Sequence, residues 1–273
     1  MEAFQSQAGL LDIVTPVLHE MESGVLKDAL VAAFSAEQGA LQDIENAFHR
    51  LTERRHPAPA LRTFFSSWSR TNNSAASVSG LANRITLLAR SDTGSAASKQ
   101  LHDVCASLQR ITDEDLGALG GVLHADLFYT MATAACGDDT WLLKSSCLRS
   151  AQAFKDWTDR QRLKERDLLL GLLTTLVHEV YTHGEVEFIH DLYKSWFHTH
   201  VGIPTDRVRH IVAWVTVHTG GTESNHFGHA VQAVNAFADA MQVTIDEATA
   251  KSLFQDYLRR KATVMRECAQ ALV

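Results

Sequence analysis

The chain has 273 residues, 45% of them hydrophobic, and a formal net charge of −7. This acidic, mixed-sign balance leaves no basic footprint, so nucleic acid is not an expected partner. No segment reaches the roughly 20 apolar residues that span a bilayer, and residues 1–5 show neither the basic stretch nor the apolar run of a signal peptide, so a cytoplasmic, non-membrane protein is expected.

The hydrophobic pattern is helical nearly throughout, with no strand-like alternation between hairpin turns. Leu10, Leu11, Ile13, Val14, Val17 and Leu18 open a first helical face, with Pro16 in an early turn or kink. Ser35 to Gln38 fits a capping box, and Leu41, Ile44 and Phe48 follow at helical spacing. His56-Pro57-Ala-Pro59 is a stop, followed by a short aromatic helix through Phe64, Phe65 and Trp68. Residues 72–79 and 91–98 read as polar loops. A helix over about 97–111 leads into Thr112-Asp-Glu-Asp115, which looks like a helix start. Further helices are expected near 122–135, 141–160, 163–198, 205–219, 222–241 and 245–271. Gly202-Ile-Pro204 separates the long central pair, and Thr244-Ile-Asp-Glu247 caps the last. With no repeat or linker in sight, we expect one all-α domain over 1–273. In it, 1–95 form an amino-terminal helical layer, 96–241 carry the chemistry and 242–273 make a C-terminal helix.

Nine of the 14 histidines fall between His178 and His229. Three stretches combine imidazole with carboxylate, the ligand mix of a buried iron pair. The first is Glu114-Asp-Leu-Gly117 through His124-Ala-Asp-Leu-Phe128, with glycines between that suit a bend. The second is Glu179/His183/Glu187/His190. At about 100° per residue, His183 lies about 40°, Glu187 about 80° and His190 about 20° from Glu179 on one helical stripe, while His178 and Glu185 point roughly the other way. A solvated polar face explains that stripe equally well. The third is His218-Thr-Gly-Gly-Thr-Glu223-Ser-Asn-His226-Phe-Gly-His229. An ideal helix puts Glu223 about 140° and His226 about 80° from His218, a poor metal face. A π-bulge at Gly220-Gly221 would align all three. Alternatively, the glycines end one helix and Thr222 caps the next.

In this order the pieces resemble the haem-oxygenase-like diiron oxidase and oxygenase superfamily, over roughly residues 40–240. The first motif there is Glu-x-Leu-Gly, glycine, then His-x-x-Leu-Phe, matched by Glu114 to Gly117, Gly120/Gly121 and His124 to Phe128. A single glutamate follows, for which Glu187 stands at about the expected distance. The last motif, His-x3-Asp/Glu-x2-His, meets His218-x4-Glu223-x2-His226, one residue longer.

The resemblance implies a haem-oxygenase-like helical bundle holding two ferrous ions on Glu114, His124, Glu187, His218, Glu223 and His226. Glu179, Glu185, His183 and His229 are substitutes for a misassigned position. Dioxygen would be co-substrate, and a small acid, amine or amino-acid-derived metabolite would be N-oxygenated or oxidatively cleaved. An external electron donor and a homodimer are compatible with such a scaffold. Asp92 and Asp103 are the carboxylates available for the extra ligand that some N-oxygenating members use. Tyr129, Tyr181 and Tyr193 read as core or pocket tyrosines, and Lys144 and Arg149 as solvated helix residues. Two alternatives stand beside this reading. One is a metal-free, thiaminase-like enzyme on the same scaffold, needing a nucleophilic cysteine such as Cys136. The other is a non-catalytic helical protein that binds a ligand or haem. Cys105, Cys136, Cys147 and Cys268 form no C-x-x-C pair or zinc spacing and read as reduced thiols.

Overall fold

Apolar residues recurring every three to four positions become thirteen α-helices among the described residues, with no strand. The computed structural model describes residues 8–91, 94–118 and 121–272. Residues 1–5, Asp92 and Gly120 lie outside the described residues. The helices are α1 Leu10–Glu20, α2 Val25–Ala36, α3 Gln38–Thr52, α4 Ala58–Asn72, α5 Ala75–Ala89, α6 Ser95–Asp115 and α7 His124–Cys136. They continue as α8 Arg149–Leu163, α9 Leu168–Trp196, α10 Thr205–Ile211, α11 Ala213–His218, α12 Gly221–Met241 and α13 Glu247–Ala271.

The architecture is an all-α, haem-oxygenase-like bundle around α9, a helix of 29 residues. Residues 171–186 of α9 are buried on every side, so no polar stripe separates its core from its chemistry. α8, α12 and α13 pack around it, α6 lies against α12, and α5 lies against α6. Among the amino-terminal helices, α1 lies on α9, and α2 and α3 lie on α13. Phe48, Phe64, Phe65 and Trp68 of α3 and α4 meet Tyr193 and Trp196 of α9 in an aromatic cluster, all six nearly fully buried.

Several local expectations are corrected. The Ser35–Gln38 capping box does not form; α2 runs to Ala36, and Glu37 makes no side-chain cap to α3. The loop over 72–79 shrinks to residues 73–74, because α5 starts at Ala75. Thr112 to Asp115 is the last turn of α6 and not a helix start, since alanines and straight-chain residues carry the helix to Asp115. The expected helix from 141 begins at Arg149, after two short 3₁₀ turns at Thr140–Leu142 and Lys144–Ser146. The single helix expected over 205–219 breaks at Val212. Pro16 sits inside α1, His56-Pro57 stops the chain before α4, and Asp246 caps α13 by accepting from Thr249 N at 2.7 Å.

Candidate metal centre

Two backbone reversals bring distant ligands together. The first follows α6. Gly117 takes φ +64°, and a Cβ there would come within 2.8 Å of the backbone at Val122 and Leu123. Only glycine turns the chain this tightly, and the turn carries His124, at the start of α7, back to the end of α6. The second lies between α11 and α12, where Thr219 is extended and Gly220 has φ 69° and ψ −127°. No π-bulge forms: the extra residue is absorbed by a full helix break, with Gly220 and not Thr222 at the cap position. His218 Nε2 still lies 3.8 Å from Glu223 Oε1 across that break.

The outcome is two adjoining groups of ligand atoms. In the first, Asp115 Oδ1 lies 3.1 Å from His124 Nδ1 and 3.6 Å from His218 Nε2, and the two imidazole nitrogens are 3.0 Å apart. In the second, His226 Nδ1 lies 3.7 Å from Glu179 Oε2 and 3.8 Å from Glu223 Oε2. Within each group, one ligand atom from every member lies within 4.8 Å of the others. Glu114, half-exposed, reaches the second group by its 3.1 Å contact to His226 Nε2. His218 Nδ1 faces the Trp214 carbonyl at 2.6 Å. A carbonyl can only accept, so Nδ1 carries the proton and Nε2 presents its lone pair to the cluster.

Of the residues expected to act together, Glu114, His124, His218, Glu223 and His226 are gathered here. Glu187 is not. Its carboxylate accepts from the Gly220 backbone N–H instead, and the glutamate that reaches the cluster is Glu179, two turns earlier on α9. The reason is the all-round burial of α9: its carboxylates point into the interior from more than one face. Glu185 points to another side, accepting from Trp68 Nε1 at 2.8 Å and pairing with Lys261 at 3.2 Å. His183 and His229 join neither group. Asp115 is the residue that the sequence reading missed. A second carboxylate beside Glu114 was the available signal, since on a helix end two neighbours can serve two adjacent positions.

The electrostatics fit cations. Burial pulls the Asp115 carboxyl up, but the imidazoles of His124 and His218 beside it outweigh that and hold it well below the carboxylate range. Burial, and next the charge of Asp115, push Glu179 up to about 8. Burial and the neighbouring charges of Glu179 and Asp115 push Glu223 well above its ordinary value. Among the described residues, Glu179 and Glu223 find no Lys or Arg at ion-pair distance, and Glu179 Oε1 and Glu223 Oε2 have no hydrogen-bond partner. Buried carboxylates left this way are costly unless something positive sits between them. The donor set, carboxylate oxygen and imidazole nitrogen, suits first-row divalent metals.

The cluster forms one wall of a cavity of about 330 Å³, a volume suited to a small molecule. Phe128, Trp141, Leu142 and Trp214 make its apolar side. None of the four cysteines lines it. Cys136, the last residue of α7, is buried, and burial, with the nearby Asp138 charge, pushes its thiol up to about 12.

No protein-family model matches the chain, and no curated protein matches it either. Among solved structures, it is similar to the crystal structure of a TenA homolog from Pseudomonas syringae pv. tomato str. DC3000. The TM-score is 0.56 at 12% sequence identity, covering 85% of this chain and 92% of that one. The likeness is one of fold. It agrees with the haem-oxygenase-like bundle described above and carries nothing specific to a diiron centre. No helix among the described residues is long and apolar enough to cross a membrane.

Proposed function

We propose that this protein is a non-haem diiron oxygenase or oxidase acting on a small acid or amine. The observation that carries the reading is the pair of abutting groups, Asp115/His124/His218 and Glu179/Glu223/His226, with Glu114 at their edge. Iron bound there would supply the electrons that activate dioxygen. The chain's own residues do the rest. His218, oriented by the Trp214 carbonyl, offers Nε2; Asp115 holds His124 in place; Glu179 and Glu223 neutralise cations in a site that excludes bulk water. The cavity beside them holds the substrate. Ferrous iron, dioxygen and a small-molecule substrate are the partners this reading requires, with an external donor to return electrons.

A second reading is a metal-free, thiaminase-like enzyme, and the TenA likeness favours this alternative over iron as far as scaffold goes. That chemistry needs a nucleophilic thiolate in the pocket. The absence of cysteine from the described cavity lining, and the high pKa of Cys136, weigh against it.

Anaerobic reconstitution followed by iron analysis decides between them. About two irons per chain are expected, with each of Glu179→Ala and His226→Ala losing iron while helical circular dichroism is kept. No iron uptake by the parent chain, with catalysis abolished by Cys136→Ala, would establish the metal-free enzyme instead.

A further inference from the structure

The cavity has a second polar wall, formed by Asn72, His178 and Thr182. On α9, Thr174 and Thr175 bond back to the Leu170 and Gly171 carbonyls at 2.7 and 3.0 Å, the usual outlet for a helical hydroxyl. Thr182, only 6% exposed, does not, and its Oγ1 has no partner among the described residues. Asn72 ends α4. Its Oδ1 accepts from Lys261 Nζ at 2.8 Å; because a lysine can only donate, the amide oxygen must face it. Nδ2 is then left over, buried and without a partner among the described residues. His178 Nδ1 lies 2.8 Å from the Tyr257 hydroxyl, which has no other acceptor among the described residues. Tyr257 therefore donates to Nδ1, and the ring proton stays on Nε2.

Three donors thus lack acceptors in one wall. A buried positive charge stands behind them. Arg162, 1% exposed, gives Nε to Thr175 Oγ1 and Nη1 to Ser77 Oγ, both at 3.1 Å, and Nη2 to nothing among the described residues. It has no carboxylate at ion-pair distance among the described residues, and Thr175 stands one turn before His178 on α9. Lys261, by contrast, is matched by Glu185 at 3.2 Å.

We propose that this wall receives the carboxylate head of the substrate, with Asn72 Nδ2, Thr182 Oγ1 and His178 Nε2 donating to its oxygens. The apolar tail lies against Phe128, Trp141 and Trp214. The inference deepens the oxygenase reading and rests on it only in taking the bound acid to be substrate. It selects the acid from the acid-or-amine class. Each donor left orphaned costs stability when the cavity is empty of acceptors, and an anion that fills them recovers that cost.

The test is binding of 3-phenylpropionate, 3-phenylpropionamide and 3-phenylpropylamine to the full chain, read by tryptophan fluorescence and calorimetry, with metal content measured in parallel. The acid is expected to bind best. Thr182→Val, which keeps the side-chain shape, weakens the acid about tenfold, by roughly 1.4 kcal/mol, and melts no lower than the parent. Asn72→Asp keeps the acceptor that Lys261 needs, removes the donor and shifts preference toward the amine. Both variants keep the parent's metal content, so loss of the acid with metal retained supports the wall independently of the metal centre. Discrimination by a chain that takes up no metal would also support the wall while removing the iron reading. Equal binding of the three probes by the parent, or unchanged acid affinity in both variants, overturns the proposal.

Discussion

His218 and Glu223 belong to different helices, yet His218 Nε2 lies 3.8 Å from Glu223 Oε1 because Gly220 reverses the chain between them. The φ of 69° with ψ −127° at Gly220 is backbone that only glycine adopts without strain. Gly220→Ala should therefore cost about 1–3 kcal/mol and lower metal affinity by pulling the two ligands apart. Gly221 opens α12 without a positive φ, and a Cβ there would meet open space. Gly221→Ala should melt at or above the parent temperature. Denaturation curves of the two variants check this; equal losses would mean that the reversal is not what matters.

Glu179 and Glu187 make opposite forecasts. If the second group binds metal, Glu179→Gln should weaken it by more than the roughly 10–100-fold that loss of an outer partner costs. Glu187→Gln removes only an acceptor for the Gly220 N–H and should leave metal stoichiometry at the parent level. Iron titration of both variants decides, and a reversed order would restore Glu187 as the ligand.

Cys136 should behave as a core residue. Its thiol is pushed up to about 12 and is 2% exposed, so little thiolate exists at neutral pH. Iodoacetamide should label the partly buried Cys147 first and leave Cys136 untouched until the chain unfolds. Rapid native labelling at Cys136, followed through peptide mass spectrometry, would revive the nucleophile.

Acid titration should report the Arg62–Asp138 pair. The hydrogen bonds of Arg62 and Thr140 hold Asp138 down to about 2. A depressed carboxyl contributes stability above its unfolded value, about 3.9, and loses it as pH falls through its folded value. Asp138→Asn should accordingly be less stable than the parent at pH 6, and the gap should close between about pH 4 and 2. A gap that persists at pH 2 would assign the difference to something other than this charge.

The helical class and most segment positions were legible because apolar spacing along α1, α3 and α13 is regular. The turn between Glu114 and His124 was legible too, since glycines between a carboxylate and an imidazole suit a chain that returns on itself. Asp115 escaped notice because Thr112 to Asp115 carries a helix-start signature, while the helix-forming residues before it carry α6 on through Asp115. Glu179 could not be separated from Glu187 by helical angle, since a helix buried all round has no solvent face to orient it. The donor wall of Asn72 and Thr182 had no sequence signal at all. Its meaning lies in which hydrogen bonds are missing, and a sequence lists only the groups that could make them.

The two ligand groups differ in how far water reaches them. Asp115 and His124 keep side-chain exposures of 21% and 14%, with His218 between them at 5%, against 4%, 2% and 1% for Glu179, Glu223 and His226. Cations seated there would trade with the medium at unequal speeds, the outer one readily and the inner one slowly. Chain produced in a mixture of metals would then carry a uniform ion in the deep position and a variable one at the rim, so brief chelation would strip half the load and leave the remainder behind.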